Sequence, residues 1–596
     1  MSAVPERSEI DEAHTWELSS LFDGDDHWDA AFKEALATLD EIRAFEGRMT
    51  SDAETLLEGL ETYEEIMREV EQVTTYARLR RDEDTRDDAG QAMASRAQSL
   101  SAEASSAASF LEPELQSLDR DTLKAYREAE PALELYDHYL DDVLRMKPHT
   151  RSAEVEELLA DLSEVTGASG EVYNMLANAD MSFPSIEASD DEGVEITLNN
   201  FTTLQRESDR AFRRTVYEAF YDEWEGVRNS VATAYRKSVK ADEKLAAARQ
   251  YDSAREASLD GPNIPETVYD TLVNTVRETL GPLHRHAELK REATGAEELR
   301  PWDLYVPLVA GESPEIPWAD AREYVVDAVA PLGDAYQERM AQGLDSRWVD
   351  VYETRGKQSG AYSSGTYDSQ PYILLNYQDD VESLFTLAHE LGHSMHSELA
   401  SDAQPYVYAD YTIFIAEIAS TVNETLLTHH LLDAVENERL RRHVLNEYLE
   451  RFRSTLYRQT MFAEFEHRAH ERSAGGEPLT ADRLDDLYGE LKGAYYEPAA
   501  LDERIAREWM RIPHFYRAYY VFQYATGISA AVALVDKIHD EGDTAAERYR
   551  EFLSRGSSAY PLELLDDAGV DMRDSEPIEA ALAEYNRLLD EFEASG

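Results

Sequence analysis

A run near the middle of the chain, DDVESLFTLAHELGHSMHSELAS, begins at Asp379 and contains histidines and a glutamate that could bind a metal ion and transfer protons. His389 and His393 are four positions apart, and Glu390 directly follows the first of them. On an α-helix, side chains at this spacing lie one turn apart on the same face, so both imidazoles could bind one Zn²⁺. Glu390 could then reach a water at the metal as general base. The pattern H-E-x-x-H therefore predicts a catalytic site with one Zn²⁺ per chain, and two histidines on a solvated helix face are the alternative.

A catalytic zinc needs a third protein ligand and one position left open for water. The run YTIFIAEIASTVNETLL follows the two histidines, is predicted as a second helix and contains Glu417. A carboxylate in so apolar a segment needs a partner, because burying it unpaired costs several kcal/mol. We therefore predict His389, His393 and Glu417 as the metal ligands. Glu424 is expected either to orient a ligating histidine or to lie on the surface, and His396 to support the site or simply to pack.

A second group of candidates lies in the run RIPHFYRAYYVFQYATG, where imidazole and phenol side chains are concentrated. Peptide hydrolysis needs a hydrogen-bond donor for the oxyanion of the tetrahedral intermediate, and Tyr or His can supply it. His514, Tyr520 and Tyr524 are the candidates for this role. The alternative is ordinary helix packing, because tyrosines one helical turn apart are common on buried faces. The chain has 34 tyrosines, which makes such pairs unremarkable by themselves.

The sequence on either side of these candidates has mostly the pattern of α-helices. Charged and apolar residues alternate at spacings of three and four over residues 28–130 and again over 203–292. A turn entering a short strand is predicted around residues 189–198, and we divide the sequence there into an N-terminal helical region (1–190) and a catalytic domain (191–596). Residues 348–377 are predicted as strand, Gly/Ser-rich turn and strand, and the backbone edge of Tyr372–Asn376 could hold a peptide as an added strand.

The composition restricts what the protein can bind. The net charge is −65, from 57 Lys+Arg and 122 Asp+Glu. Binding to nucleic acid or to anionic membranes is therefore not expected. The acidic residues are spread along the chain, which is typical of proteins from a high-salt cytoplasm.

Other features of the composition concern redox chemistry and location. Cysteine is absent, so no thiolate ligand or disulfide exists. The N-terminal residues contain no apolar signal-peptide core, and no apolar run reaches the length of about 20 residues that a bilayer span requires. We therefore expect a cytoplasmic protein.

Four segments together resemble one known family: HELGHSMH, AEIASTVNE, GKQSGAYSSGTYDSQPYILLNY and PHFYRAYYVFQYATG. They are similar to the thimet-oligopeptidase-like zinc peptidases, and within these to the oligoendopeptidase F group. The resemblance implies a mainly α, two-lobed, elongated helical zincin with a small β-sheet beside a deep active-site cleft. It implies zinc-dependent cleavage of internal bonds in short peptides. It also places the metal at His389, His393 and Glu417 and the catalytic carboxylate at Glu390.

Two other functions remain open from the residues alone. One is a zinc carboxypeptidase or dipeptidase of similar helical fold, which would need a fixed cationic clamp for the substrate carboxylate. The other is a catalytically silent protein that binds peptides, although a binder has no need of Glu390. Short peptides are the expected partners in each case, and the sequence leaves the oligomeric state open.

Overall fold

The chain folds mainly into α-helices, as a computed structural model that describes residues 4–187 and 193–595 shows. The first helices along the chain are α1 (Asp25–Arg43), α2 (Ala53–Glu83), α3 (Asp88–Ala107), α4 (Leu111–Ser117), α5 (Arg120–Ala129), α6 (Asp137–Arg145), α7 (Ala153–Asp161), α8 (Ser163–Met175), α9 (Phe201–Leu204), α10 (Arg210–Ala248), α11 (Ala254–Asp260), α12 (Glu266–Glu278) and α13 (Gly281–Ala293). The later helices are α14 (Trp318–Ala328), α15 (Asp334–Asp345), α16 (Val381–Ala403), α17 (Tyr406–Ala409), α18 (Ile413–Ala434), α19 (Glu438–Arg451), α20 (Arg458–Ala474), α21 (Ala481–Tyr495), α22 (Phe522–Glu541), α23 (Asp543–Leu553), α24 (Pro561–Asp567) and α25 (Glu576–Ala594). The predicted mainly helical class is confirmed.

Two small sheets accompany the helices in the described part of the chain. The strands β1 (Ser185–Glu187) and β2 (Gly193–Glu195) pair antiparallel, and the predicted strand after the turn is therefore present. The turn itself, and the domain boundary at residue 190, fall on residues 188–192, which lie outside the described residues. The division of the sequence at that point stays a prediction.

The second sheet corrects the prediction for residues 348–377. It contains β3 (Val349–Tyr352), β4 (Tyr362–Ser364) and β5 (Tyr372–Tyr377) in the order β3-β5-β4. Strand β5 pairs parallel with β3 and antiparallel with β4, so Tyr372–Asn376 is the centre of the sheet and cannot accept an added strand. The Gly/Ser-rich segment that was predicted as a turn contains β4, which is an edge strand. This strand is too short to carry an alternation of apolar and polar side chains that could have revealed it.

The described residues form two compact units, each assembled from three separate segments of the chain. The first unit comprises Met1–Pro148, Pro314–Ala434 and Leu534–Val570. The second unit comprises His149–Ser313, Val435–Ala533 and Asp571–Gly596. The first unit has a core of helices α1 to α3 and strand β5, in which Trp28, Leu39 and Leu374 are fully buried. The core of the second unit is rich in aromatic rings, among them Trp224, Tyr235 and Trp509.

Candidate active site

Helix α16 carries the H-E-x-x-H residues, and its own sequence fixes where it begins and which face it buries. The side chain of Asp380 caps the helix, as its carboxylate accepts a hydrogen bond of 2.8 Å from the backbone N–H of Ser383. Such a cap satisfies one of the free N–H groups of the first turn. One apolar face of the helix is buried, and its members are Leu384, Ala388, Leu391 and Met395. Because these side chains face the core, His389 and His393 project from the other side of the helix.

A glycine in the middle of α16 allows the neighbouring helix α18 to approach unusually closely. A Cβ atom on Gly392 would lie 2.4 Å from the Cα of Ser420 and 2.6 Å from the carbonyl oxygen of Ala419. Any larger residue would push the two helices apart, so Gly392 holds Glu417 of α18 within reach of the histidines. Sequence reasoning missed this residue. The signal was available, because an interior helix glycine costs about 1 kcal/mol relative to alanine and therefore indicates a packing reason.

The side chains of His389, His393 and Glu417 meet at one point. The two Nε2 atoms are 3.2 Å apart, and Glu417 Oε2 lies 3.4 Å from that of His389 and 3.7 Å from that of His393. Zinc bonds of about 2.0–2.1 Å in a tetrahedron require donor atoms to be about 3.3 Å from each other. The donor set and its spacing therefore fit Zn²⁺. Within residues 4–187 and 193–595 this is the one group of three such side chains close enough to hold a metal ion.

Glu424 lies behind the cluster and fixes the orientation of one histidine. Its carboxylate is almost fully buried and accepts a hydrogen bond of 2.7 Å from Nδ1 of His389. This contact leaves Nε2 of the ring directed at the other two donors. Of the two roles expected for Glu424, the structure therefore places it beside a candidate ligand rather than on the surface. Ser420, one turn after Glu417, donates its hydroxyl to the backbone carbonyl oxygen of Glu417 at 2.9 Å, and the same hydroxyl lies 3.3 Å from Glu417 Oε2.

The protonation of the cluster reflects its burial and its carboxylates. Burial alone would lower the pKa of His389, but the charge of Glu424 and the hydrogen bond to Glu417 raise it to about 10. Burial and the neighbouring charge of His389 lower the pKa of His393 to about 4. Burial opposes ionisation of Glu417, yet the hydrogen bond from His389 and the charges of both imidazoles lower its pKa to about 2. The cluster therefore holds a proton on His389, which a bound cation would displace.

Glu390 projects beside the cluster and is held by the edge strand of the sheet. Its side chain is 7% exposed, and burial raises its pKa to about 7, partly offset by the charge of His389 and by the backbone N–H of Ser363 in β4. The hydroxyls of Ser363 and Ser394 are hydrogen-bonded at 2.8 Å, which ties β4 to α16. Glu390 is therefore a carboxylate in a defined position with a proton affinity near neutrality.

His396 does not join the cluster. It is fully buried, its ring stacks on Tyr411 with centroids 3.6 Å apart, and neither ring nitrogen has a hydrogen-bonding partner among the described residues. Burial, with a smaller contribution from the charge of His393, lowers its pKa to about 3. His396 is thus a neutral aromatic residue that packs in the core, which is the second of the two roles expected for it.

His514, Tyr520 and Tyr524 lie together in the second unit. The rings of His514 and Tyr520 are stacked with centroids 5.9 Å apart, and the hydroxyl of Tyr524 donates to that of Tyr520 at 3.1 Å.

Tyr519, which directly precedes Tyr520, has a backbone φ of 56°. Its backbone N–H donates a hydrogen bond of 2.9 Å to the carboxylate of Glu466. This left-handed conformation is uncommon for a bulky residue. Glu466 therefore stabilises the turn that presents Tyr520, a contact that nothing in the sequence indicated.

No helix in the described ranges combines the length and the apolar character that crossing a bilayer would require.

The sequence profile of Peptidase family M3 matches residues 203–584, and a profile described as Oligopeptidase F matches residues 114–183.

Individual relatives extend this similarity over nearly the whole chain. Oligopeptidase PepF of Bacillus subtilis is 42% identical over 591 residues, which are 99% of this chain and 88% of that protein. The crystal structure of oligoendopeptidase-F from Enterococcus faecium is similar with a TM-score of 0.74 and 37% identity, covering 95% of this chain and 98% of that one. A solved structure from Chlamydophila abortus is similar with a TM-score of 0.91 and 31% identity over the full length of both chains.

Proposed function

Because this chain belongs to peptidase family M3 and is a metalloendopeptidase of the oligoendopeptidase F type, we propose that it hydrolyses internal bonds of short peptides with one Zn²⁺. His389, His393 and Glu417 would hold the metal. The observation that carries this proposal is the spacing of 3.2 to 3.7 Å between their donor atoms. This spacing matches the edge of a zinc tetrahedron. Glu424 would keep the proton of His389 on Nδ1, so that Nε2 has a free lone pair for the metal.

Each of the chain's own residues has a separate task in the proposed reaction. Zn²⁺, when bound, supplies Lewis-acid polarisation of the peptide carbonyl and favours deprotonation of water. Glu390 removes a proton from the attacking water and returns it to the leaving amine, a step worth about 10²–10⁴ in rate. Burial of Glu390 beside β4, which is tied to α16 by the hydrogen bond between Ser363 and Ser394, limits the positions that its carboxylate can take during this transfer.

We also propose that His514, Tyr520 and Tyr524 supply hydrogen bonds to the oxyanion. Tyr520 and Tyr524 are half-buried and their hydroxyls are joined, so one can donate to substrate while the other orients it. Burial and the positive charges of Arg458 and Arg517 lower the pKa of His514, which favours its neutral form. Neutral donors suit an oxyanion that develops only in the transition state.

The proposal is tested with an internally quenched peptide that is blocked at both ends. Wild type should cleave it, chelation should abolish cleavage, and elemental analysis should find one Zn²⁺ per chain. Glu390→Gln should keep the metal and lose about 10²–10⁴ in rate, whereas Glu417→Gln should lose metal affinity. The control is Glu382→Gln, which removes the same charge from an exposed position in the first turn of α16 and should remain active.

The same assay separates the two alternatives. An exopeptidase cannot cleave a doubly blocked peptide but would cleave its unblocked version. A silent peptide-binding protein would bind zinc and peptide and cleave neither.

The net charge of −65 supports the proposed location and partners. It favours a cytoplasmic location at high salt, because a surface of one sign stays soluble there. It also favours peptides rather than nucleic acids or membranes as partners.

A further inference from the structure

A cavity of about 450 Å³ lies within the first unit, apart from the proposed metal ligands. Its walls are mainly tyrosine rings and carboxylates, contributed by α2, by the segment between β4 and β5, by α16 and by the residues around α17. No Lys, Arg or His is among the described residues that line it. The volume is in the range of small-molecule sites, and the lining suits a positively charged guest.

Two carboxylates on one face of α2 point to such a guest. Glu64 and Glu71 are two helical turns apart, and each has one oxygen that is shielded from solvent and has no hydrogen bond to any described residue. The other oxygen of Glu64 accepts a hydrogen bond of 3.1 Å from the hydroxyl of Tyr136. An unsatisfied buried acceptor costs about 1–3 kcal/mol. Both carboxylates therefore lack part of the hydrogen bonding that a buried acceptor needs.

The charge state of these carboxylates agrees with their isolation. Burial raises the pKa of Glu71 to about 7, partly offset by the backbone N–H of Tyr367, and raises that of Glu64 in the same direction. Arg68, on the same helix, lowers both, but its guanidinium is already paired with Asp368, where Nε lies 2.9 Å from Oδ2. The described part of the protein thus provides no cation inside the cavity.

A third polar group is independent of the acidic residues. Thr366 lines the cavity from the segment between β4 and β5, its side chain is 7% exposed, and its hydroxyl has no hydrogen-bonding partner among the described residues. A buried hydroxyl without a partner is uncommon in folded proteins. Thr366 therefore adds a polar group with unused hydrogen-bonding capacity to the lining of the cavity.

The lining of the cavity suits an organic cation better than a metal ion. The described carboxylates of the cavity do not converge, since the one described group of three that could hold a metal is His389, His393 and Glu417. Tyrosine faces bind ammonium and guanidinium groups. The same wall already shows this contact, because the guanidinium of Arg68 lies 4.8 Å from the ring centre of Tyr367.

Helix α16 connects the cavity to the proposed catalytic site. Ser397 and Ser401 line the cavity and follow His393 by one and two helical turns. These offsets correspond to about 6 and 12 Å along the helix. An extended peptide covers about 3.3 Å per residue, so the cavity lies roughly two to four substrate residues from the proposed metal ligands. We propose that this cavity binds the guanidinium or ammonium group of a substrate Arg or Lys that lies roughly two to four residues from the cleaved bond. This inference rests on the proposed peptidase function.

The test uses pairs of doubly blocked, quenched peptides that differ only in arginine or citrulline, its neutral analogue of the same shape. Arginine is placed two, three or four positions to either side of a fixed cleavage site. At one of these positions kcat/KM should be at least tenfold higher for arginine than for citrulline. Glu71→Gln and Glu64→Gln should each reduce that ratio toward one. Glu58→Gln, an exposed carboxylate on the same helix, is the matched control and should keep it.

Two outcomes of this series overturn the proposal. One is equal cleavage of arginine and citrulline peptides at every position. The other is a preference for arginine that survives both cavity substitutions. Thermal melts accompany the variants, and Glu71→Gln is expected to melt no lower than wild type because it replaces a buried carboxyl of raised pKa with a neutral group of the same shape. Salt is varied as well, because buried carboxylates are screened less than the surface charge.

A binding measurement separates this proposal from the peptidase assignment. Calorimetry on the zinc-loaded protein compares butylguanidinium with neutral butylurea. We expect selective binding of butylguanidinium that Glu71→Gln removes. Selective binding by a protein that cleaves no peptide would support the cavity and refute the peptidase. Normal cleavage without selective binding or arginine preference would refute the cavity alone, and binding of the free cation without any arginine preference would refute its role in substrate recognition.

Discussion

Replacing Gly392 with alanine tests whether the close packing of α16 on α18 holds the metal ligands together. The new Cβ would lie 2.4 Å from the Cα of Ser420, whereas ordinary contacts begin near 3.4 Å. The helices must therefore separate by about 1 Å to relieve the overlap. The distances of 3.4 and 3.7 Å from Glu417 to the two histidines would each grow by a similar amount. A zinc site tolerates deviations of only about 0.2 Å in its bonds.

The expected result is a loss of zinc affinity of about 10–100-fold, the size seen when groups that position zinc ligands are altered. Overpacking should also lower the free energy of unfolding of the zinc-free protein by about 1–3 kcal/mol. The higher helix propensity of alanine offsets about 1 kcal/mol of this loss. The assay is competition with a chelating dye, together with thermal melts. Gly226→Ala is the matched control, because a Cβ there would meet no atom within 4 Å. A Gly392→Ala protein that binds zinc within threefold of wild type would refute the reasoning.

Three further predictions concern the second unit and the charge. Tyr520→Phe or Tyr524→Phe should lower kcat about 10²-fold with little change in KM, and two silent variants would remove the tyrosines from the reaction. Tyr516→Phe is their control and should be silent, because the hydroxyl of Tyr516 has no partner among the described residues. Burial raises the pKa of Glu466 from 4.5 to about 8. The folded state thus keeps a proton that the unfolded state loses, so stability should fall as pH rises between these values. Glu466→Gln should reduce that decline without removing it, because the pKa values of Glu390 and Glu71 are also raised, and a melting temperature with the same pH dependence as wild type would contradict this. Because the net charge is −65 and salt screens repulsion between surface charges, KCl should raise the melting temperature steeply up to about 3 M when zinc is kept in excess. A melting temperature that does not change with KCl would refute the interpretation that the protein is adapted to high salt.

The parts of the site that could be predicted from the sequence are those governed by local rules. An acidic cap at Asp379 or Asp380 follows from the residue types that begin helices, and the structure selects Asp380. The buried face containing Leu384 and the placement of His389 one turn from His393 follow from helical periodicity. Glu417 could be selected because a carboxylate in an apolar helix requires a partner.

The parts that could not be predicted depend on contacts between distant segments. Strand β4 is too short to show a pattern, and the parallel pairing of β3 with β5 is a long-range choice that neither strand encodes alone. The cavity could not be predicted either, because Glu64 and Thr366 are far apart in the chain and neither is unusual in its own segment. The hydrogen bond between Glu466 and the backbone of Tyr519 likewise joins a helix to a turn whose conformation no residue type announced.

The interleaved segments of the two compact units have a consequence for how the chain can be made or divided. The unit that carries the candidate ligands includes Leu534–Val570, and the other includes Asp571–Gly596. During synthesis, neither unit can therefore complete its packing until most of the chain has left the ribosome, so early folding intermediates expose unfinished apolar surface. For the same reason, a fragment cut near residue 190 contains neither unit in full. A metal-binding fragment would have to be built by circular permutation or by joining the three segments, rather than by truncation.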